Sequence, residues 1–217
     1  MKKRRVGPRV TLVLLILVAL GAWLYQGDLP AEAVDAKYTS PASQFLTLDD
    51  GARIHFRDEG NRTGVPIVLI HGSMASLHTW TPWVERLGKT YRIVTLDLPA
   101  HGLTGAVPSG DYSGAAQLRV VQAVTTHLNL DAFVLGGNSM GGGVSWRYAL
   151  KHPESVLALI LVDATGPSAW YRARRDAKPD QESPLAFKLL RQPWFRAIAA
   201  RIDPYYLAVQ GAKSAYN

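Results

Sequence analysis

Five residues carry the first chemical suggestion in the chain: Gly137, Asn138, Ser139, Met140 and Gly141 fit the pattern G-x-S-x-G. A serine at a sharp strand-to-helix turn sits in a strained backbone conformation that exposes its hydroxyl. Glycines flank it because a side chain there would strike the adjoining strand or helix. The helix that follows aims unpaired N–H groups and the positive end of its dipole at charge developing near the hydroxyl. Ser139 is therefore the candidate nucleophile. A glycine-rich turn with an incidental serine fits the same five residues, so the motif needs its context. A phosphate-cradling loop does not fit. Asn138 takes the middle glycine position of a G-x-G-x-x-G starting at Gly136, and Gly142 and Gly143 stand where a P-loop lysine belongs.

The elements that would position Ser139 are legible as a rhythm. Residues 44–48 and 52–57 alternate apolar and polar side chains around Asp49-Asp50-Gly51, which predicts an antiparallel hairpin with one wetted face. His55, within it, is expected as a solvated or hydrogen-bonded side chain. Residues 67–70, 91–96, 132–135 and 156–162 are apolar runs of the kind buried on both faces of a sheet. Between them lie helical spacings: Trp80, Trp83, Val84 and Leu87; Leu118, Val121, Val124 and Leu128; and residues 144–150. This alternation predicts an α/β fold, a mostly parallel sheet with helices on both faces, and functional residues just past the carboxyl ends of the strands. Residues 44–164 form that core. Residues 165–217 start a helical cap, basic through residues 168–203 with eight Lys and Arg against four Asp and Glu. Such a cap would lie well against anionic lipid.

Composition narrows the classes. With 217 residues, 47% of them hydrophobic, one core is expected. The absence of cysteine excludes a disulfide framework, a thiolate zinc site and a cysteine nucleophile. No clustered ligands appear, so neither a metal nor an organic cofactor is expected. The net charge of +7 is concentrated in Lys2, Lys3, Arg4, Arg5 and Arg9, leaving +2 for the rest of the chain, which argues against a nucleic-acid partner. Those cations precede an apolar run, residues 10–25, that spans about 24 Å as a helix. Val6 and a snorkelling Arg9 extend it, and Trp23 and Tyr25 stand where an interfacial belt would lie. It is expected to be a single transmembrane anchor in the inner membrane, followed by a linker over residues 26–43 and an exported, periplasmic domain. A cleaved signal peptide is the alternative, with Ala31-Glu32-Ala33 as its cleavage site, somewhat far from the apolar run.

Four features now coincide: His71-Gly72-Ser73 after the first buried strand, Asp97-Leu98-Pro99-Ala100-His101-Gly102 after the second, Gly137 to Gly142 after the third, and a helical insertion after the fourth. From residue 44 onward the chain resembles the α/β-hydrolase superfamily, in particular its anchored or exported bacterial esterase- and lipase-like members. The resemblance implies Ser139 as nucleophile and the backbone N–H groups of Ser73 and Met140 as oxyanion donors. It implies that His71 and His101 shape turns. Relatives that attack carbon with a carboxylate carry aspartate at the elbow, whereas serine implies acyl transfer. The implied substrate is a small ester with an apolar acyl chain. A cofactor-free haloperoxidase, an amidase or a carbon–carbon bond hydrolase could use the same elbow.

One part of the family pattern is missing. The triad order is Ser, then Asp or Glu, then His. The only histidine after Ser139 is His152, thirteen positions on and about 20 Å away along a helix. Asp163, at the end of the fourth run, stands where some relatives place the acid, or simply caps a turn. The expectation is that the acid and histidine lie beyond residue 217 and that the chain is an incomplete, inactive piece of a hydrolase with an exposed sheet edge. A membrane-tethered binding or interaction module is the alternative for the 217 residues taken alone.

Overall fold

The computed structural model describes residues 7–25, 27, 29–168, 189, 192–199 and 201. The chain divides into two compact units, Ala31–Ala177 and the combination of Met1–Pro30 with Lys178–Asn217.

In the second of these, α1 (Pro8–Leu24) is one apolar helix, with Pro8 at its start where the missing N–H costs nothing. Its 17 residues give about 25 Å of helix against a hydrocarbon core of ~30 Å. Among the described residues no helix is long and apolar enough to cross a membrane. The expectation of a transmembrane span over residues 10–25 is therefore corrected to an apolar helix short of that length. A helix Pro193–Ala199 belongs to the same unit. The rest of the cap expected over residues 165–217 lies mostly outside the described residues.

The unit Ala31–Ala177 opens with α2 (Ala31–Tyr38), where a linker was expected; Ala and Glu favour the helix, and Arg53 ties it down through Asp35 at 2.7 Å. Then come β1 (Ser43–Thr47), β2 (Arg53–Gly60), β3 (Pro66–Ile70), a single 3-10 turn Leu77–Trp80, α3 (Thr81–Leu87), β4 (Arg92–Leu96), α4 (Gly114–His127), β5 (Phe133–Asn138), α5 (Met140–Lys151) and β6 (Val156–Val162). They form one six-stranded sheet in the order β1-β2-β4-β3-β5-β6. The hairpin β1-β2 and the pair β2-β4 are antiparallel, and β4-β3-β5-β6 is parallel.

Strand alternation sorts the core onto two faces. Val68, Ile70, Val94, Leu96 and Leu135 pack with Val120, Val121 and Val124 of α4 and Val144 and Tyr148 of α5. Ile67, Leu69 and Ile93 pack with Trp80, Trp83, Val84 and Leu87. Helices thus cover both faces, as the rhythm predicts. Two details differ. β2 is buried over five consecutive residues, Ile54 to Asp58, so the hairpin has no wetted face there. Among the described residues β6 lies at the expected exposed edge of the sheet, with Leu157, Leu159 and Leu161 exposed, although its run was read as buried on both faces.

From β3 the chain steps to β4 on one side, then crosses back to β5 on the other. Connections leaving in opposite directions open a crevice between the tips of β3 and β5. Strain gathers at that end of the sheet. Each parallel strand is followed within four residues by a non-glycine residue at positive φ: Met74, Ala100, Ser139 and Asp163.

Candidate active site

Ser139 joins β5 to α5 with φ +51° and ψ −112°, a conformation that costs about 1–3 kcal/mol and is held only because the surroundings over-determine it. Its N–H donates to the Val162 carbonyl at 2.9 Å, while its own carbonyl accepts from Thr165 N–H at 2.9 Å and Gly143 N–H at 3.1 Å. Asn138 Nδ2 adds a bond to the same Val162 carbonyl at 3.3 Å. The tip of β6 therefore clamps the elbow from behind.

The glycines of the motif are required by close approach. A Cβ on Gly137 would collide with the Gly141 carbonyl, and one on Gly141 with the Ile70 and His71 carbonyls. On the β3 side a Cβ at Gly72 would stand 2.7 Å from Asn138 Oδ1 and 3.4 Å from Ser139 Cβ. These three absent side chains let the β3 tip lie against the Ser139 turn.

The structure brings the three sequence-predicted residues together. Ser73 Oγ donates to Met140 Sδ at 3.4 Å, so the residues whose N–H groups were expected to face an oxyanion touch each other beside Ser139. Met140 is the first residue of α5, and its N–H has no carbonyl to bond within the helix. The Ser139 hydroxyl has no hydrogen-bond partner among the described residues. A half-buried alcohol without a hydrogen-bond partner can attack a carbonyl carbon, and the unbonded N–H at the start of α5 can stabilise the resulting oxyanion.

The histidines are spoken for. His71 is fully buried, donates through Nδ1 to the Gly72 carbonyl at 2.7 Å and accepts Leu98 N–H at Nε2 at 3.1 Å. Burial, above all, pulls its pKa below 6.5 against the raising effect of the Gly72 carbonyl and Asp97. It is a neutral staple between the β3 and β4 tips. His101 donates to the Pro99 carbonyl at 2.9 Å and its ring lies 5.0 Å from that of His71. His152 caps the far end of α5, with its ring against Tyr148 and Nδ1 3.6 Å from Glu154. Asp163 is exposed at φ +45° and makes no side-chain hydrogen bond among the described residues.

The sequence reading missed a second constellation. His55 is fully buried, with Nδ1 donating to Asp97 Oδ2 at 2.7 Å and Nε2 accepting from Ser43 Oγ at 2.9 Å. These are the contacts and the tautomer of a Ser-His-Asp triad. Ser43 cannot use them: its oxygen already accepts from Ser40 N–H at 3.0 Å and Arg57 Nε at 3.3 Å, which fills both lone pairs. Asp97 also accepts from the Leu77 and Leu103 amides at 2.8 and 2.9 Å. Burial pushes its carboxyl up, but His55 and the two amides outweigh this and hold it below the usual carboxylate range. A histidine amid the apolar residues of a strand was the one available signal. Among the described residues no group of three or more His, Asp and Glu side chains could hold a metal ion.

The sequence pattern of the alpha/beta hydrolase fold family matches residues 65–195. Over 174 residues the chain is 28% identical to the 2-hydroxy-6-oxo-6-phenylhexa-2,4-dienoate hydrolase of Burkholderia cepacia, covering 76% of this chain and 59% of that protein. It is 34% identical over 122 residues to Lipase 1 of Psychrobacter immobilis, covering 56% and 38%. Among solved structures it is similar to a bacterial membrane phospholipase A, with a TM-score of 0.57, 27% identity, and 87% of this chain and 62% of that one covered. The chain spans about half the length of the curated relatives it matches.

Proposed function

The chain belongs to the α/β-hydrolase family, and from that premise we propose that it is a serine hydrolase that cuts carboxylic esters of apolar acyl chains through an acyl-enzyme on Ser139. The observation that carries this reading is the pairing of a strained, unpartnered Ser139 hydroxyl with the touching residues Ser73 and Met140. Ser139 Oγ attacks the ester carbonyl, the alcohol leaves, and water releases the acid. The Ser73 and Met140 N–H groups stabilise the tetrahedral oxyanion, each worth about 2.7–4 kcal/mol. No histidine of the chain bonds Ser139, so the histidine and acid that move the proton are left unassigned in this reading. The similarity to Lipase 1 supports the ester class. A carbon–carbon bond hydrolase is the second reading, favoured by the similarity to the dienoate hydrolase.

Attachment to the inner membrane, with the hydrolase unit on the periplasmic side, is part of the proposal. It is supported by the exposed apolar side chains along α1 and the five cations at its amino end.

The test is labelling by a fluorophosphonate probe of the 217-residue chain, of its Ser139→Ala variant, and of the chain carrying any in-frame continuation. Labelling of the extended form that vanishes on Ser139→Ala supports the proposal. Labelling of the 217-residue chain by itself would show that a base is already present. If nothing is labelled, the binding-module reading replaces it.

A further inference from the structure

A methionine accompanies each of the two donors. Of the three methionines in the chain, Met1 begins it, Met74 follows Ser73 and Met140 follows Ser139. Met74 is 87% exposed at φ +57°. Met140 is half-buried, and its Sδ accepts from Ser73 Oγ at 3.4 Å and from Gln117 Nε2 of α4 at 3.6 Å. The thioether is thus the side-chain contact that joins the β3 tip to the first turn of α5. A thioether is a soft, weak acceptor, and its two partners hold the sulfur in place without binding it strongly.

We propose that Met140 is a peroxide-sensitive latch that holds the oxyanion donors together when reduced and disables the site as its sulfoxide. In this step the O–O bond of a peroxide breaks and an S–O bond forms. The sulfur loses two electrons, and hydrogen peroxide leaves as water. The product is a polar, chiral group that methionine sulfoxide reductases restore. On Met140 the added oxygen has to enter the space between Ser73, Gln117 and the Ser139 turn, and as a strong acceptor it draws both donors out of their present positions. On Met74 the same oxygen projects into solvent. The idea rests on Ser139 as nucleophile for its effect on activity, whereas the structural effect on the β3 tip does not.

The test exposes the form of the protein that the fluorophosphonate probe labels, with its in-frame continuation where labelling needs one, and the Met140→Leu and Met74→Leu variants of that form, to graded hydrogen peroxide. Peptide mass spectrometry maps each sulfoxide, hydrogen exchange follows residues 70–76, and the fluorophosphonate probe reads Ser139. We expect Met74 to oxidise first without effect. Probe labelling then falls at least tenfold in step with Met140 sulfoxide, and sulfoxide reductase restores it. Exchange over residues 70–76 rises severalfold only in the Met140-oxidised form. Met140→Leu, whatever its untreated rate, loses none of it to peroxide, and Met74→Leu responds as the parent chain does. Full oxidation at Met140 with unchanged exchange in residues 70–76 overturns the latch, as does a loss of labelling that follows Met74 or persists in Met140→Leu. If no form of the protein is labelled before peroxide, the nucleophile reading fails, and exchange alone then decides the latch: a rise sustains it and no rise overturns it.

Discussion

Two serines of this protein stand in opposite chemical situations. Ser43 has the distances and tautomer of a catalytic triad, donating to His55, which in turn donates to Asp97, yet its oxygen is saturated by Ser40 N–H and Arg57 Nε. Ser139 has no imidazole bonded to it, but its backbone is strained, its hydroxyl has no partner among the described residues, and Ser73 and Met140 touch beside it. In the first region every polar group is spent on holding β1, β2 and the β4 tip together. In the second, the capacity of the Ser139 hydroxyl is left unspent. Unused capacity, more than triad distances, marks where a substrate can be accommodated.

The comparison breaks most directly by exchanging the two roles. In a labelled form of the protein, Ser139→Ala should abolish probe labelling and lower ester hydrolysis by about 10⁶-fold, while Ser43→Ala should leave both within about a factor of two. Equal losses from both variants would make Ser43 part of the chemistry.

A Gly141→Ala substitution is the next largest effect. Its methyl group meets the Ile70 and His71 carbonyls, which are backbone and cannot swing aside. Destabilisation of about 3 kcal/mol or more is expected from a urea midpoint. A midpoint within error of the parent would mean that the β3 and β5 tips are less closely packed than they stand here.

Asp97→Asn sharpens the structural half of the comparison. It keeps the shape but removes acceptor capacity from an atom pair that takes three N–H donors, and it should cost about 2–4 kcal/mol. Probe labelling per folded molecule should change less than stability does, which denaturation and labelling on one sample would check.

Acid sensitivity follows from the same groups. His71 is lowered in the folded state, mainly by burial, so below 6.5 the unfolded chain binds a proton that the folded one refuses. Stability is full above pH 6.5 and declines as pH falls toward the folded value. His78, lowered by burial and then by Arg57, adds to this limb with the same sign. Asp97, also lowered, contributes stability that is full above about 3.8 and is lost as pH falls further through its folded value. Urea midpoints measured from pH 8 to 4 should decline first below about 6.5, and His71→Gln should flatten that first limb. The smallest effect is on Ser43→Ala stability, about 1–3 kcal/mol for the loss of the hydroxyl's three hydrogen bonds to His55, Ser40 and Arg57.

Much of this was legible because the signals are local. Ile67 to Ile70 is apolar whichever partners it finds, and G-x-S-x-G encodes its turn in the steric demands of adjoining residues. The helix Ala31–Tyr38 and the burial of His55 were not legible, and an exposed sheet edge was expected without β6 being read as the strand that forms it. Each depends on what packs alongside: Arg53 for the helix, Asp97 and Ser43 for the histidine, and the sheet-edge position for β6. The apolar run over residues 10–25 was read by its composition, whereas crossing a membrane depends on helix length, and among the described residues no helix is long and apolar enough.

From residue 44 to residue 162 the sequence by itself determined the order of strands and helices, the Ser139 turn and the glycines that permit it, because these depend on periodicity and on contacts within a few residues. Only the tertiary structure decided that β3 and β5 are neighbours at a reversal of strand order, and so that Ser73 meets Met140 across 67 positions of chain. It also decided that the triad-like distances belong to Ser43, whose lone pairs are filled, while Ser139 keeps its hydroxyl open. Which donors and acceptors remain unspent depends on every neighbour at once, and neighbours are set by packing.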